Sequence, residues 1–312
     1  MVGSPIEEPI EKVCKQLRAR GLRLQLHFWF SSEWFTPDGT AGIAIPFHLA
    51  HPRLMQLERT VLKGTAIETP ALCRKILRHE AGHALENAFR LRRRAAVQQV
   101  FGSSSIRYPR YYTPQPYSRK FVQHLGVGYA QSHPDEDFAE TFAVWLGPKS
   151  QWRAKYAGWP ALRKLEFMDS LMQELAGERP ALTNRRSVEP LRRLDLTLRT
   201  YYRRLRRHLQ LDVPEIDQSL HRILSRAAAP HASVTADAFL RKIKPKLRSQ
   251  VALLSGHPKH QVDRVVNDLI RRSRHFPGHV SPTRWEMQNG VPTDFTRHAL
   301  RALRTGLHRI AL

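Results

Sequence analysis

The chain has 312 residues, 41% of them hydrophobic, and carries 51 Lys plus Arg against 27 Asp plus Glu, a net charge of +24. That length and composition are enough to bury a full core in two units, which excludes a disordered chain. No apolar run reaches the roughly 18 residues of a membrane span, residues 1–21 lack the apolar centre of a signal peptide, and the only cysteines are Cys14 and Cys73. Two cysteines supply neither a disulfide framework nor a four-ligand zinc ribbon, and they suit a reducing, cytoplasmic setting.

The first predicted element is a strand over Leu22–Phe30, where Leu24, Leu26, Phe28 and Phe30 alternate with Arg23, Gln25 and His27. A turn at Thr36-Pro37-Asp38-Gly39 leads into a second strand over Gly39–His48. From Pro70 to Arg94 the period changes: Leu72, Ile76, Leu77, Ala81, Ala84, Leu85, Ala88 and Phe89 recur at helical steps. Thr69-Pro70 reads as an N-cap and first-turn proline, and Arg90, Arg92, Arg93 and Arg94 suit the negative end of the helix dipole.

Within that helix stands His79-Glu80-Ala81-Gly82-His83. At about 3.6 residues per turn, His79 and His83 lie on one face and can aim imidazole nitrogens at a single ion. Glu80 is rotated by about 100°, off the metal but within reach of the proton of a bound water. This is the arrangement by which a zinc protease assembles its metal and general base. Gly82 weakens a helix by about 1 kcal/mol relative to Ala, and its missing side chain leaves room for a close neighbour.

So short a motif needs a second half. The metzincin continuation is excluded, because Glu86 and Phe89 stand where it requires Gly and His. The other solution is a carboxylate from a later helix. Pro134-Asp135-Glu136-Asp137 marks a helix start, with Phe138, Phe142, Trp145 and Leu146 turned to a core. Glu136 and Glu140 share a face, and two inward acids are costly without a cation. Asp135 and Asp137 read as a solvated cap. Between the two halves, Phe101–Phe121 has no sustained period; it reads as a surface loop, a lid over a cleft, or a basic and aromatic nucleic-acid contact.

HEAGH followed by DEDFAETFAVWL resembles a zincin-like family of zinc-binding metallopeptidases, over about Leu22 to Leu171. The resemblance implies an α+β fold, a mixed sheet with an HExxH helix and a Glu-ligand helix, and one Zn2+ per chain held by His79, His83 and Glu136. Glu140 would orient a zinc histidine. Some relatives carry an N-terminal zinc ribbon, which this chain lacks. The region is also similar to the protease domain of anthrax lethal factor, where a tyrosine seven residues before the ligand Glu assists catalysis; that position is Tyr129. Tyr129 then steadies an oxyanion or is a buried aromatic, with His124 and His133 as lesser candidates. Zincins add the peptide substrate to a sheet edge, which makes Gly42, Ile43, Ala44 and Ile45 either substrate-pairing residues or an ordinary core strand.

A boundary is expected between Gly177-Glu178-Arg179-Pro180 and Glu189-Pro190, giving a zincin-like unit 1–184 and a basic helical unit 185–312. Residues 185–312 hold 26 Lys plus Arg against 10 Asp plus Glu, +16 of the total +24. Helices are predicted over Leu191–Leu211, Glu215–Ala228, Ala236–Leu254 with an interruption at Pro245, Gln261–Arg272 and Phe295–Ile310. In the first, Leu191, Leu194, Leu198, Tyr201, Tyr202, Leu205 and Leu209 form the apolar stripe. The positive field suits nucleic acid or another polyanion as partner, and equally an Arg-rich composition with no such partner. The expected function is zinc-dependent hydrolysis of a peptide or protein, with a nucleic-acid-associated protease or a catalytically silent zinc module as rivals.

Overall fold

A computed structural model describes residues 1–62, 68–109, 111–115, 117–126, 128–148, 151–208, 214–228, 234–281, 293–304 and 310–311. The chain divides into two units, one of residues 1–110 and 114–203 and the other of 111–113 and 204–311. The division falls later than the sequence suggests because residues 185–203 are bonded into the first unit. Trp29 Nε1 donates to Val188 O at 2.8 Å, Ser31 Oγ to Glu189 O at 2.7 Å, and the Tyr201 hydroxyl to Ser32 O at 2.9 Å.

The described residues are mostly helical with small sheets, compatible with the α+β class. In the first unit α1 (Glu7–Ala19) precedes β1 (His27–Ser31) and β2 (Gly42–Pro46), both shorter than predicted. These strands pair in parallel, His27 opposite Gly42 through Ser31 opposite Pro46. The connection between them contains the predicted turn, where Gly39 takes φ of 68°, a conformation that suits glycine. Asn87 Nδ2 ties this turn to the next long helix, donating to Pro37 O at 3.0 Å and Thr40 O at 3.1 Å.

After α2 (Pro52–Val61) comes α3 (Pro70–Ala88), capped as expected: Thr69 Oγ1 accepts from the Leu72 N–H at 3.2 Å. Leu77, Ala81, Ala84, Leu85 and Ala88 are wholly buried. The helix stops short of the predicted Arg94, since Arg90 turns left-handed at φ of 52° and Leu91–Arg93 form a 3-10 turn. The arginines therefore do not line the helix end. Arg92 instead reaches Asp38 at 2.8 Å, the buried Glu86 at 3.1 Å and Asp135 at 3.7 Å.

A short helix, α4 (Ala95–Phe101), precedes the stretch Phe101–Phe121 that reads in sequence as having no sustained period. Further on, α5 (Pro134–Leu146) has His133 as its cap, Nδ1 accepting from the Asp135 N–H at 3.2 Å. Its acids do not face solvent. Asp135 and Asp137 are 4% and 2% exposed, because Arg92 and Lys164 reach them as counter-ions. Burial pushes the Asp137 carboxyl up to about 7 even with Lys164 opposing it. The short α6 (Trp152–Lys155) and longer α7 (Ala161–Leu175) close the core, with Leu165, Met168 and Tyr156 fully buried.

The predicted helix over Leu191–Leu211 is broken: a 3-10 turn at Leu191–Arg193 is followed by α8 (Leu198–His208), and residues 209–211 lie outside the described chain. Of its apolar stripe Tyr202 is buried, whereas Leu191 and Leu198 stand exposed. In the second unit α9 (Pro214–Ala227), α10 (Ala236–Ser255), α11 (Lys259–Ser273) and a last helix, Thr293–Arg304, enclose Leu224, Phe239, Leu240, Val251, Val266 and Phe295. The α10 helix runs through Pro245 without the expected interruption. Packing of Phe239 and Leu240 before the proline, and Leu247 and Val251 after it, offsets the lost hydrogen bond. The expected end of the last helix at Ile310 is not met, since Ile310 pairs with Tyr112 in a short antiparallel strand pair. No described helix is long and apolar enough to cross a membrane.

The site is set by how α3 meets α5. A Cβ added to Gly82 would stand 2.9 Å from Ala139 Cα and 3.2 Å from Phe142 Cδ1. Alanine would gain about 1 kcal/mol of helix propensity, but it forces two packed helices apart, a change that costs about 1–3 kcal/mol. Gly82→Ala should therefore lower the denaturant midpoint; a variant more stable than wild type would refute the close approach.

Candidate metal centre

Because α3 and α5 touch at Gly82 and Ala139, their four-residue spacings face each other. His79 meets Glu140, His83 meets Glu136, and His79 also reaches Glu136. His79 Nε2 lies 3.0 Å from Glu136 Oε2, His83 Nε2 lies 3.4 Å from the same oxygen, and the two Nε2 atoms are 3.1 Å apart. These three donor atoms fall within 4.8 Å of one another, a cluster able to hold a metal ion.

On its other side His79 Nδ1 lies 3.1 Å from Glu140 Oε1. A carboxylate accepts, so Nδ1 carries the proton and Nε2 presents its lone pair to the cluster. Three lone pairs aimed at one point, with His79 and Glu136 almost fully buried, require a cation or a shared proton between them. The donor set of two imidazoles and one carboxylate fits zinc.

Electrostatics agree. Burial alone would keep His79 neutral, yet hydrogen bonds to Glu136 and Glu140 push its pKa up to about 10. His83 is raised as well, its burial outweighed by Glu136. Burial works against the Glu136 carboxylate, but the two rings hold it well below the usual carboxylate range. Glu80, 7% exposed, contributes its field to both histidines. Its Oε2 is buried without a hydrogen-bond partner, while its backbone carbonyl accepts from Thr36 Oγ1 at 3.1 Å.

Tyr129 begins a 3-10 turn, its ring centre 5.4 Å from that of His79. The other two histidines have anchoring positions. His124 Nε2 donates to Lys75 O at 2.9 Å, and burial pushes its pKa down to about 4; His133 caps α5. Gly42, Ile43, Ala44 and Ile45 are all buried, paired to β1 on one side. On the other side the Ala44 N–H donates to Phe35 O at 2.9 Å, so at Ala44 the edge expected for a substrate strand is already taken. Sequence reasoning missed Tyr108, whose hydroxyl donates to Glu136 Oε1 at 3.1 Å. The only hint was an aromatic residue in a basic stretch without period.

Residues 74–157 match the model of one protein family, Putative zinc-binding metallo-peptidase. That segment, about a quarter of the chain, runs from within α3 to beyond α6 and contains all three donors. No curated protein and no solved structure matches the chain.

The metal-free site should titrate. His79 binds its proton more tightly folded than unfolded, so its contribution to stability is complete below the ordinary value of 6.5 and is lost as pH rises through about 10. Denaturant unfolding of the metal-free chain should show stability falling across that window, with the slope reduced in His79→Gln. An identical profile in both proteins would refute the assignment.

Proposed function

We propose that the protein is a zinc-dependent peptidase in which His79, His83 and Glu136 hold the ion. The observation that carries this reading is the convergence of those three donors beside Glu80, a buried carboxylate with one oxygen unpartnered. The family match to residues 74–157 supports a metallopeptidase and, with it, a peptide or protein substrate. Zinc at such a site acts as a Lewis acid toward the scissile carbonyl and lowers the pKa of a bound water to about 7.

The chain's own residues do the rest. Glu80 takes the proton of the attacking water through its unpartnered Oε2 and passes it to the leaving amine. Glu140 holds the Nδ1–H of His79, which fixes the ring and raises the basicity of Nε2. Tyr129, beside His79, steadies the developing oxyanion. A silent zinc module would have no use for the Glu80 carboxylate, so that residue separates the two readings.

Purified protein should hold about one zinc per chain, and His79→Ala, His83→Ala and Glu136→Ala should each lose it, because two remaining donors do not hold the ion against water. Full occupancy in those variants by elemental analysis would refute the site. Glu80→Gln should keep zinc and fold while losing cleavage of a casein or peptide-library substrate. Glu140→Gln should stay a zinc enzyme weakened about 10 to 100-fold; the reverse order, with Glu140 indispensable and Glu136 dispensable, would shift the ligand by one helical turn.

A further inference from the structure

The two oxygens of Glu136 have different surroundings. Oε2 faces the histidines, whereas Oε1 accepts the hydroxyl of Tyr108 at 3.1 Å. Tyr108 comes from the segment that leads out of α4, outside both motif helices. Its ring is stacked on that of His133, with centroids 3.7 Å and planes 13° apart. His133 is held at both nitrogens: Nδ1 accepts from the Asp135 N–H at 3.2 Å, and Nε2 donates to Ile106 O at 2.7 Å. Ile106 and Tyr108 are two residues apart, so the ring of His133 fastens its own stacking partner at a second point.

We propose that Tyr108 is a positioning residue for the metal-facing carboxylate, and that His133 holds Tyr108 in place. The inference rests on reading the His79, His83 and Glu136 cluster as a metal site. Rotation about the last bond of a glutamate is soft and close to two-fold, so an unrestrained Glu136 presents either oxygen to the histidines. A donor fixed on Oε1 removes that freedom and leaves Oε2 as the ligand atom. Hydrogen bonds to ligating groups of this kind are worth about 10 to 100-fold in metal affinity.

Zinc dissociation constants of the full chain, from competition with a chromogenic chelator, test this. Tyr108→Phe keeps the ring and its stack but loses the hydroxyl, and should weaken zinc by about 10 to 100-fold while the metal-free unfolding midpoint falls only slightly, by the loss of one hydrogen bond. A merely structural tyrosine would give the opposite pattern. His133→Asn keeps a good helix cap and removes the ring. It should weaken zinc by a similar factor, and the double variant should bind no more weakly than Tyr108→Phe alone, because both changes act through one hydrogen bond. Wild-type affinity in Tyr108→Phe overturns the role of the hydroxyl, and additive losses overturn the role of His133. If Tyr108→Phe does not fold, His133→Asn decides, with unchanged affinity overturning the proposal. A wild-type chain that binds no zinc fails the metal reading itself, and the inference with it.

Discussion

Where α3 crosses α5, the backbone of Ala139 occupies the space a side chain on Gly82 would need. Every distance in the cluster follows from that contact. A helix projects residues four apart onto one face, so a pair of histidines on α3 and a pair of glutamates on α5 meet only if the two axes come unusually close. With Gly82 as the point of approach, the histidine nitrogens and the Glu136 oxygen lie 3.0 to 3.4 Å from one another. A larger residue there would move all four side chains together rather than any one alone.

The same contact concentrates acid in the core. Glu80, Glu86, Asp135, Glu136, Asp137 and Glu140 are all below a tenth exposed. Buried carboxylates are tolerated only with counter-charge. Arg92 serves Glu86 and Asp135, Lys164 serves Asp137, and the histidine pair faces Glu136 and Glu140. Those counter-ions are incomplete for Glu86, whose carboxyl burial pushes up to about 7 against the pull of Arg92. Hydrogen bonds to Glu136 and Glu140, with the field of Glu80 added, are what draw a proton onto His79 in the absence of a metal.

The part of this site that is legible in sequence is the part built on helical repetition. His79, His83, Glu136 and Glu140 are visible because the period of α3 and α5 is local and their starts are marked, the first by the cap Thr69 before Pro70 and the second by Pro134 with the acids that follow it. Tyr108 is not visible, since its place depends on a loop path fixed by Ile106 and His133. Charge misleads for a related reason. Asp135, Asp137 and Arg92 look like solvated helix ends, but their partners Lys164 and Glu86 are chosen by packing, which no spacing rule reports. Likewise the break before α8 follows from Trp29, Ser31 and Ser32 bonding the chain there, and the continuity of α10 at Pro245 from the core on both sides.

Glu140 is more than a prop for one histidine. Besides meeting His79 Nδ1, its carboxylate accepts the Leu125 N–H, at 3.1 Å through Oε2 and 3.4 Å through Oε1. A peptide group shortly before Tyr129 thus shares an acceptor with the His79 ring. Charge that Glu140 yields to His79 is charge withdrawn from that amide bond. The Leu125 amide is therefore a built-in gauge of the cluster, whose proton chemical shift and hydrogen exchange should follow any change at Glu140 and His79.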